Sequence, residues 1–474
     1  MWPIARAPSP PECMPVFQRA ARRASELADL LPAVDTEASH VVLGAAADGD
    51  TPGPWLSVLA RAPLLRAVPR GHLLTLGCGE TRKLDLAMTA LATWRGPLLF
   101  ARGGDLRPVD AAALRWRREV LGRDVFVIGP GHGSVDALGW LSLVPVSGRA
   151  DAARLAAETL VMEQPYDALP DGALPDGALE AARNAAADAL VSLWRIHGRR
   201  PRLSEWLAEL DGSNPLLARA RDIPADAVAA LNAGPDPDGP EQAVIEAVAA
   251  GRADALLLWS YAASWSAPVC LRLATLALTA PYLAAGSRGL LLLLHRLEWM
   301  LPWSWTDEIL MNVRSVTMWG VSENLRLDRL GPWPDRVWAM QYAGARGVSP
   351  CTERLLRVVE GGVDDPDRHR QARIAGMPRR LQILTLKGHE GGFLGVKAPW
   401  WGVAGIAGAL APGASGSPPP GGGPPRADLR DSAPWQWPSR THGLVSGLAT
   451  WQRRAQGLLP RFGAARPGTM AAPK

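Results

Sequence analysis

Residues 71–100 read GHLLTLGCGETRKLDLAMTALATWRGPLLF. Leu73 to Leu76 is a short apolar run that suits a buried strand. Gly77, Cys78 and Gly79 come next as a tight turn. From Leu84 to Trp94 the apolar residues fall at 84, 86, 87, 88, 90, 91 and 94, which is helical spacing. Pro97 to Phe100 opens a second strand. Strand, glycine turn, helix and strand is how a phosphate-binding α/β domain begins. An ordinary strand–turn–helix has the same outline, so this stretch alone leaves both readings open.

The working form of such a turn is G-x-x-x-x-G-K-[ST]. Here Gly77 to Leu84 reads GCGETRKL. Gly77 and Lys83 hold their places. Arg82 stands where a second Gly would let the backbone wrap a phosphate. Leu84 stands where a Ser or Thr hydroxyl would hold Mg2+. Glu80 adds negative charge where phosphate oxygens would lie. The expectation is a residual nucleotide-binding set of Gly77, Gly79, Thr81, Arg82 and Lys83, with no catalytic residue and no metal ligand. Arg82 and Lys83, at a helix beginning near Leu84, are expected to suit a bare anion such as sulfate.

A chain of 474 residues has room for two or three domains, and its 47% apolar content supports a real core. Trp is abundant at 20 residues, against 5 Phe and 4 Tyr. Arg greatly outnumbers Lys, which reads as nucleotide bias in the coding sequence. Cys13, Cys78, Cys270 and Cys351 lie far apart and form no C-x-x-C, so neither a zinc site nor a disulfide framework is suggested. A reducing compartment is the simpler assumption. The net charge of +5 is uneven. From Arg426 to Lys474 there are eight basic and two acidic residues, a net of +6, which leaves −1 for the remainder.

Taken in order, Met1 to Pro15 lacks the apolar region of a signal peptide. Phe17 to Leu31 suits an amphipathic helix, and His40 to Leu43 a strand leading into a loop to Pro54. Beyond the opening stretch, Val109 to Leu121 predicts a helix, Asp124 to Ile128 a strand and Ala150 to Val161 a helix. This β-α alternation favours a mainly parallel sheet covered by helices. LPDGA occurs twice between Leu169 and Ala178 and reads as a slipped duplication in a loop. Leu179 to about Leu231 is helical throughout. Ala255 to Leu271 carries no charge over 17 residues, short for a membrane span and better read as a buried strand and helix. Gly289 to Leu294, Val316 to Val321 and Leu381 to Leu386 predict further strands. A P-loop ATPase ends such a strand with two acids, for Mg2+ and for water. Here Leu294 is succeeded by His295 and Arg296.

Several blocks, in a shared order over about residues 40–401, resemble the TraG-type conjugative DNA-transfer proteins, the coupling ATPases of type IV secretion. HVVLGAAADG, from His40, resembles the segment ahead of the family's P-loop. LLTLGCGETRKLDLAMTALATWRGPLLF looks like its loop, helix and next strand. RWRREVLGRDVFVIGP looks like the family's second helix and strand. GLLLLLHRLEWM lies where the family has its Walker B strand. VTMWGVSENLRLDRLG looks like the strand carrying a nucleotide-sensing Gln, with Ser322 in that place. GMPRRLQILTLKGHEGGFLGVKAPWW resembles the closing strand pair.

The resemblance implies a RecA-like P-loop domain with an all-helical insertion, and a ring-forming oligomer that recruits a relaxase–DNA complex. Of the family's nucleotide residues only Gly77 and Lys83 carry over, and His295 and Arg296 mark a degenerate Walker B position. The expected divisions are an N-terminal segment 1–39, an α/β domain 40–178 continued in 246–401, a helical insertion 179–245, a Gly/Pro-rich linker 402–434 and a basic tail 435–474. The expected role is a non-catalytic scaffold or adaptor in a conjugation or type IV secretion system. The alternatives are a working ATPase motor and a decayed copy without function. No resident cofactor is expected, because the eroded motifs argue against ATP with Mg2+. The family's N-terminal membrane helices have no counterpart, so a cytoplasmic protein is expected, with peripheral inner-membrane contact through the tail. There, Leu444, Val445, Leu448, Trp451 and Leu458 can share one helix face with Arg453, Arg454 and Arg461 nearby.

Overall fold

The computed structural model describes residues 22–31, 34, 39–47, 62–77, 83–104, 108–162, 177–232, 240–259, 266–287, 289–322, 330–344, 380–389 and 392–398. These fall into two compact units, one from 22–127, 251–259 and 289–398, the other from 128–250 and 266–287. The predicted linker 402–434 and basic tail 435–474 lie outside the described residues.

The first unit is built on a sheet of twelve strands. In chain order they are β1 (Arg22–Arg23), β2 (Val41–Ala45), β3 (Leu64–Ala67), β4 (Leu73–Leu76), β5 (Leu98–Gly103), β6 (Asp124–Ile128), β7 (Ala253–Trp259), β8 (Leu290–His295), β9 (Val316–Ser322), β10 (Ala339–Tyr342), β11 (Leu381–Leu386) and β12 (Phe393–Val396). Their spatial order is β3-β2-β12-β11-β10-β4-β9-β8-β5-β7-β6, with β1 beside β12. From β10 through β4, β9, β8 and β5 to β7, every neighbouring pair is parallel. From β10 through β11, β12 and β2 to β3 the pairs are antiparallel. The α/β class and its central parallel sheet are as the alternation predicts.

The parallel strands are covered on both faces, so they need continuous apolar sequence rather than alternation. LLLLLH in β8 and ADALLLW in β7 are buried at every position. The core against one face gathers Trp94, Phe100, Trp319, Leu293 and Phe393.

The expected helix from Leu84 to Trp94 is corrected. After α1 (Ala24–Leu30), the chain forms two short helices, α2 (Lys83–Ala87) and α3 (Thr89–Thr93), with a turn at Met88. At the break the Thr89 hydroxyl donates to the Leu86 carbonyl at 2.6 Å, which competes with the helical ladder. The Phe17–Leu31 expectation is also corrected where residues are described: Arg22–Arg23 pairs with β12, and the helix begins at Ala24.

Next comes α4 (Pro108–Glu119), whose Arg117 ties the sheet's lower edge together. Arg117 is fully buried and its Nε donates to Asp254 Oδ2 at 2.6 Å. Its remaining nitrogens donate to the carbonyls of Leu91, Trp94 and Gly96. Asp254 Oδ1 in turn accepts from the Leu98 backbone N–H at 2.9 Å. A buried ion pair offsets its desolvation only when the other hydrogen-bonding positions are filled, as they are here.

The second unit is helical: α5 (Arg149–Leu160), α6 (Ala178–His197), α7 (Leu203–Glu209), α8 (Pro215–Arg221), α9 (Ala225–Leu231), α10 (Pro240–Ala249) and α11 (Ser266–Ala284). Helix α8 starts with a side-chain cap, Asn214 Oδ1 accepting from Leu216 N–H at 2.9 Å, and has Pro215 at its first position. Residues 135 and 137 donate backbone hydrogen bonds to Ala230 and Leu231, and Arg200 pairs with Asp136. Helix α11 is long and apolar enough to cross a membrane, yet 89% of its apolar window is buried in the fold. The charge-free run therefore divides into β7 and α11, and the helix continues past a buried Arg272.

Candidate functional site

In open parallel sheets, ligands bind beyond the carboxyl ends of the strands. Four such ends lie side by side in the first unit: Leu76 of β4, Ser322 of β9, His295 of β8 and Gly103 of β5. Leu76 is level with Ser322, and His295 with Val321. Gly77 leaves β4 and its N–H donates to the Ser322 carbonyl at 3.3 Å. The motif's first glycine thus stands against the end of β9.

Lys83 is the first residue of α2 and is only 2% exposed. Leu84, in the hydroxyl position, is buried in the core. Gly79, Thr81 and Arg82 lie outside the described residues, with Cys78 and Glu80.

At the end of β8, His295 is buried, and its Nδ1 lies 3.0 Å from the Gly103 carbonyl. A carbonyl only accepts, so Nδ1 carries the proton in this bond. Arg296 comes next at φ 59 and ψ 62, and among the described residues it is the one non-glycine at positive φ. That conformation costs an L-residue about 1–2 kcal/mol. Its guanidinium carbon lies 5.5 Å from the centre of the Trp299 ring. Trp299 lies against Gly103, where an added Cβ would come within 2.6 Å of its Cζ3. The chain then forms a short 3-10 turn, Leu297–Met300. This turn carries Glu298, which is 9% exposed and accepts from the Ser322 hydroxyl at 3.0 Å.

The structure thus joins Gly77 to Ser322 by backbone and Ser322 to Glu298 by side chain. Sequence reasoning named Ser322, His295 and Arg296 but not Glu298. The available signal was that Glu298 is the first acid after the β8 strand, displaced past the two expected positions.

The donor set implied for Mg2+ does not fit at its usual positions. Leu84 offers no oxygen, His295 Nδ1 is committed to Gly103, and Arg296 is a cation. Among the described residues, no group of three or more His, Cys, Asp or Glu side chains converges to hold a metal.

No protein-family model matches the chain, and no curated protein matches it in sequence. Solved structures do match in fold. The bacterial conjugative coupling protein TrwBdeltaN70, in an unbound monoclinic form, aligns with TM-score 0.53 at 12% identity, over 80% of this chain and 92% of that one. Plasmid coupling protein TrwB in complex with the non-hydrolysable ATP analogue ADPNP gives 0.54 at 12% identity, over 80% and 93%. TrwB in complex with ADP and Mg2+ gives 0.51 at 12% identity over the same shares. The chain has the coupling-protein, RecA-like P-loop fold.

Proposed function

We propose that this chain is a coupling-protein-like component of a conjugative DNA-transfer or type IV secretion system, acting as a scaffold or adaptor rather than as a motor. The fold likeness spans most of both chains and supports the coupling-protein part. The ordered sequence blocks between residues 40 and 401 support it independently. The partners in this reading are other transfer components, a relaxase–DNA complex and further copies of the chain or its relatives. The helical stretch 179–245 would be the module that receives them. A cytoplasmic location with peripheral membrane contact through the basic tail completes the proposal.

One observation carries the non-catalytic part: β8 ends at His295 and is succeeded by Arg296, where hydrolysis needs two carboxylates. Leu84 removes the remaining metal-binding hydroxyl. Lys83 is retained, so nucleotide binding without turnover is the proposed state of the site. The motor reading keeps one supporting observation, that structures of this fold exist with ADPNP and with ADP and Mg2+.

The experiment is ATP turnover by the purified protein with Mg2+, compared with Lys83→Ala. No turnover above background in either is expected. Turnover that vanishes in Lys83→Ala would overturn the non-catalytic reading.

A further inference from the structure

We infer that the amino-end edge of the parallel sheet is a docking surface for an anionic lipid bilayer, distinct from the basic tail. The surface lies wholly in the first unit and uses no residue of the phosphate loop.

A row of cations runs along this edge. In the order of the sheet from β11 to β7 they are Lys387, Arg336, Arg70, Arg314, Arg95 and Arg252, all exposed. Backbone pairing sets their segments side by side. Lys387 N–H donates to the Trp338 carbonyl at 2.8 Å, and Trp338 N–H to the His72 carbonyl at 2.7 Å. Gly289 N–H donates to the Ser315 carbonyl at 2.9 Å, and Leu291 N–H to that of Pro97 at 3.0 Å. The register gives the heights. Ala339, Leu73 and Trp319 are level, so counting back along each strand puts Arg336 and Arg70 at the height of Val316. Leu98, Leu291 and Thr317 are level, which puts Arg95 at the height of Arg314. Ala255, Leu99, Leu292 and Met318 are level, which puts Arg252 at Ser315. Across the strand spacings from β11 to β7 the row is about 29 Å long.

The segments that meet this edge are 68–72, 94–97, 120–124, 250–252, 311–315, 335–338 and 387–389. They hold seven Arg or Lys, Arg123 included, against two acids, Asp124 and Asp335, a net of +5. Without the tail the whole chain carries only −1, so its positive charge gathers here and the remaining body is negative. Helix C-termini attract cations, which accounts in part for Arg95, Arg252, Arg314 and Arg336. Arg70 comes after β3 and Lys387 after β11, so no helix accounts for those two. Apolar tips stand among the cations. Three of the six exposed large apolar side chains among the described residues are on these segments: Val68, Val120 and Met311. Met311 lies in the last turn of α12 (Ser304–Asn312), just ahead of Arg314.

Cations along an edge with apolar tips between them match the headgroup layer. The guanidinium groups meet lipid phosphates, and the apolar tips enter the acyl boundary. A nucleic-acid backbone would engage the arginines and leave Val68, Val120 and Met311 in water, which favours the bilayer. Docked in this way, the strands stand upright on the membrane, and the carboxyl ends of β4, β9 and β8 face away from it.

The test is co-sedimentation of the full chain with vesicles of phosphatidylcholine alone, and of phosphatidylcholine with phosphatidylglycerol. The anionic vesicles are expected to bind at least about tenfold tighter. Each Arg near the surface is worth about fivefold, so Arg70→Gln, Arg252→Gln and Arg314→Gln combined should cost about a hundredfold. Arg70→Lys, Arg252→Lys and Arg314→Lys combined keep the charge and should stay within about threefold. Val68→Ser with Met311→Ser should also weaken binding. Equal binding to both kinds of vesicle overturns the inference. Anionic binding that survives the three Gln changes but is lost with Arg453→Gln, Arg454→Gln and Arg461→Gln overturns it too, and leaves the tail contact proposed above standing. Loss with the three Lys changes equal to that with Gln would mean a packing role. Loss of DNA-duplex binding in the Gln variant, with vesicle binding spared, would mean a nucleic-acid surface. Either result overturns the inference.

Discussion

His72 shows how one buried side chain makes the fold depend on pH. It precedes β4, and its Nδ1 accepts the Met318 backbone N–H of β9 at 3.0 Å. Accepting requires an unprotonated nitrogen. Burial lowers its pKa from 6.5 to about 4, and a backbone hydrogen bond with Leu310 only partly opposes this. The folded value lies below the unfolded one, so the imidazole stays neutral in the fold. Above about pH 6.5 both states are neutral and the contribution is level. As pH falls toward 4 the unfolded chain takes the proton first, and up to about 3 kcal/mol of stability is lost. Unfolding free energies at pH 7 and pH 4.5 are expected to differ more for the natural chain than for His72→Asn. Asn can still accept from Met318 but does not titrate. Equal differences would assign the pH dependence to other groups. None of this was legible in the sequence, where His72 is one polar residue beside an apolar run. The partner N–H lies far along the chain, and only strand pairing brings it there. Arg296 was named from sequence for its charge, while its left-handed backbone could not be foreseen in a residue with a Cβ.

At the scale of elements, the readable ones were those whose sequence is constrained on both faces. LLTL, LLLLLH and LQILTL are dominated by Leu and Ile and do not alternate, as strands buried at nearly every position require. LLRA in β3 was missed: it is short, carries an Arg and is buried on one face only. Two arginines as strand β1 offer no pattern at all, because that pairing exists only through β12. Within the candidate site the motif placed Gly77 and Lys83 in the chain. The turn carrying Glu298 depends on Trp299 seating on Gly103, a contact between residues distant in sequence. This contact predicts that Gly103→Ala costs about 1–3 kcal/mol, since the new Cβ would have to displace an indole ring. Trp299→Leu in the same chain should recover part of that loss, giving a measurable coupling in a double-mutant cycle. Strict additivity in chemical denaturation would mean that the ring moves aside freely.

For the whole molecule, the order of strands in space departs from their order in the chain at one decisive place. β11 and β12 insert between β10 and the β2–β3 pair, and Ala45 meets its partner only at Val396. β4 similarly waits for β9 and β10. Pairings between such distant segments are slow to form, because loop closure comes before any contact energy is gained. During synthesis, the β2–β3 pair leaves the ribosome early and stays without its neighbour until residue 396 has emerged. Until then β2 and β10 each present an open edge able to pair with another chain. Nascent chains stalled at increasing lengths should therefore gain protease resistance in the first unit as one late step, after β12 is free of the exit tunnel. Resistance acquired before Leu381 emerges would contradict this. The antiparallel strands at the end of the described chain thus act as a clasp in time. A cell making this protein carries the exposed sheet through most of translation, and chaperones that shield β-edges would be the ones its production draws on.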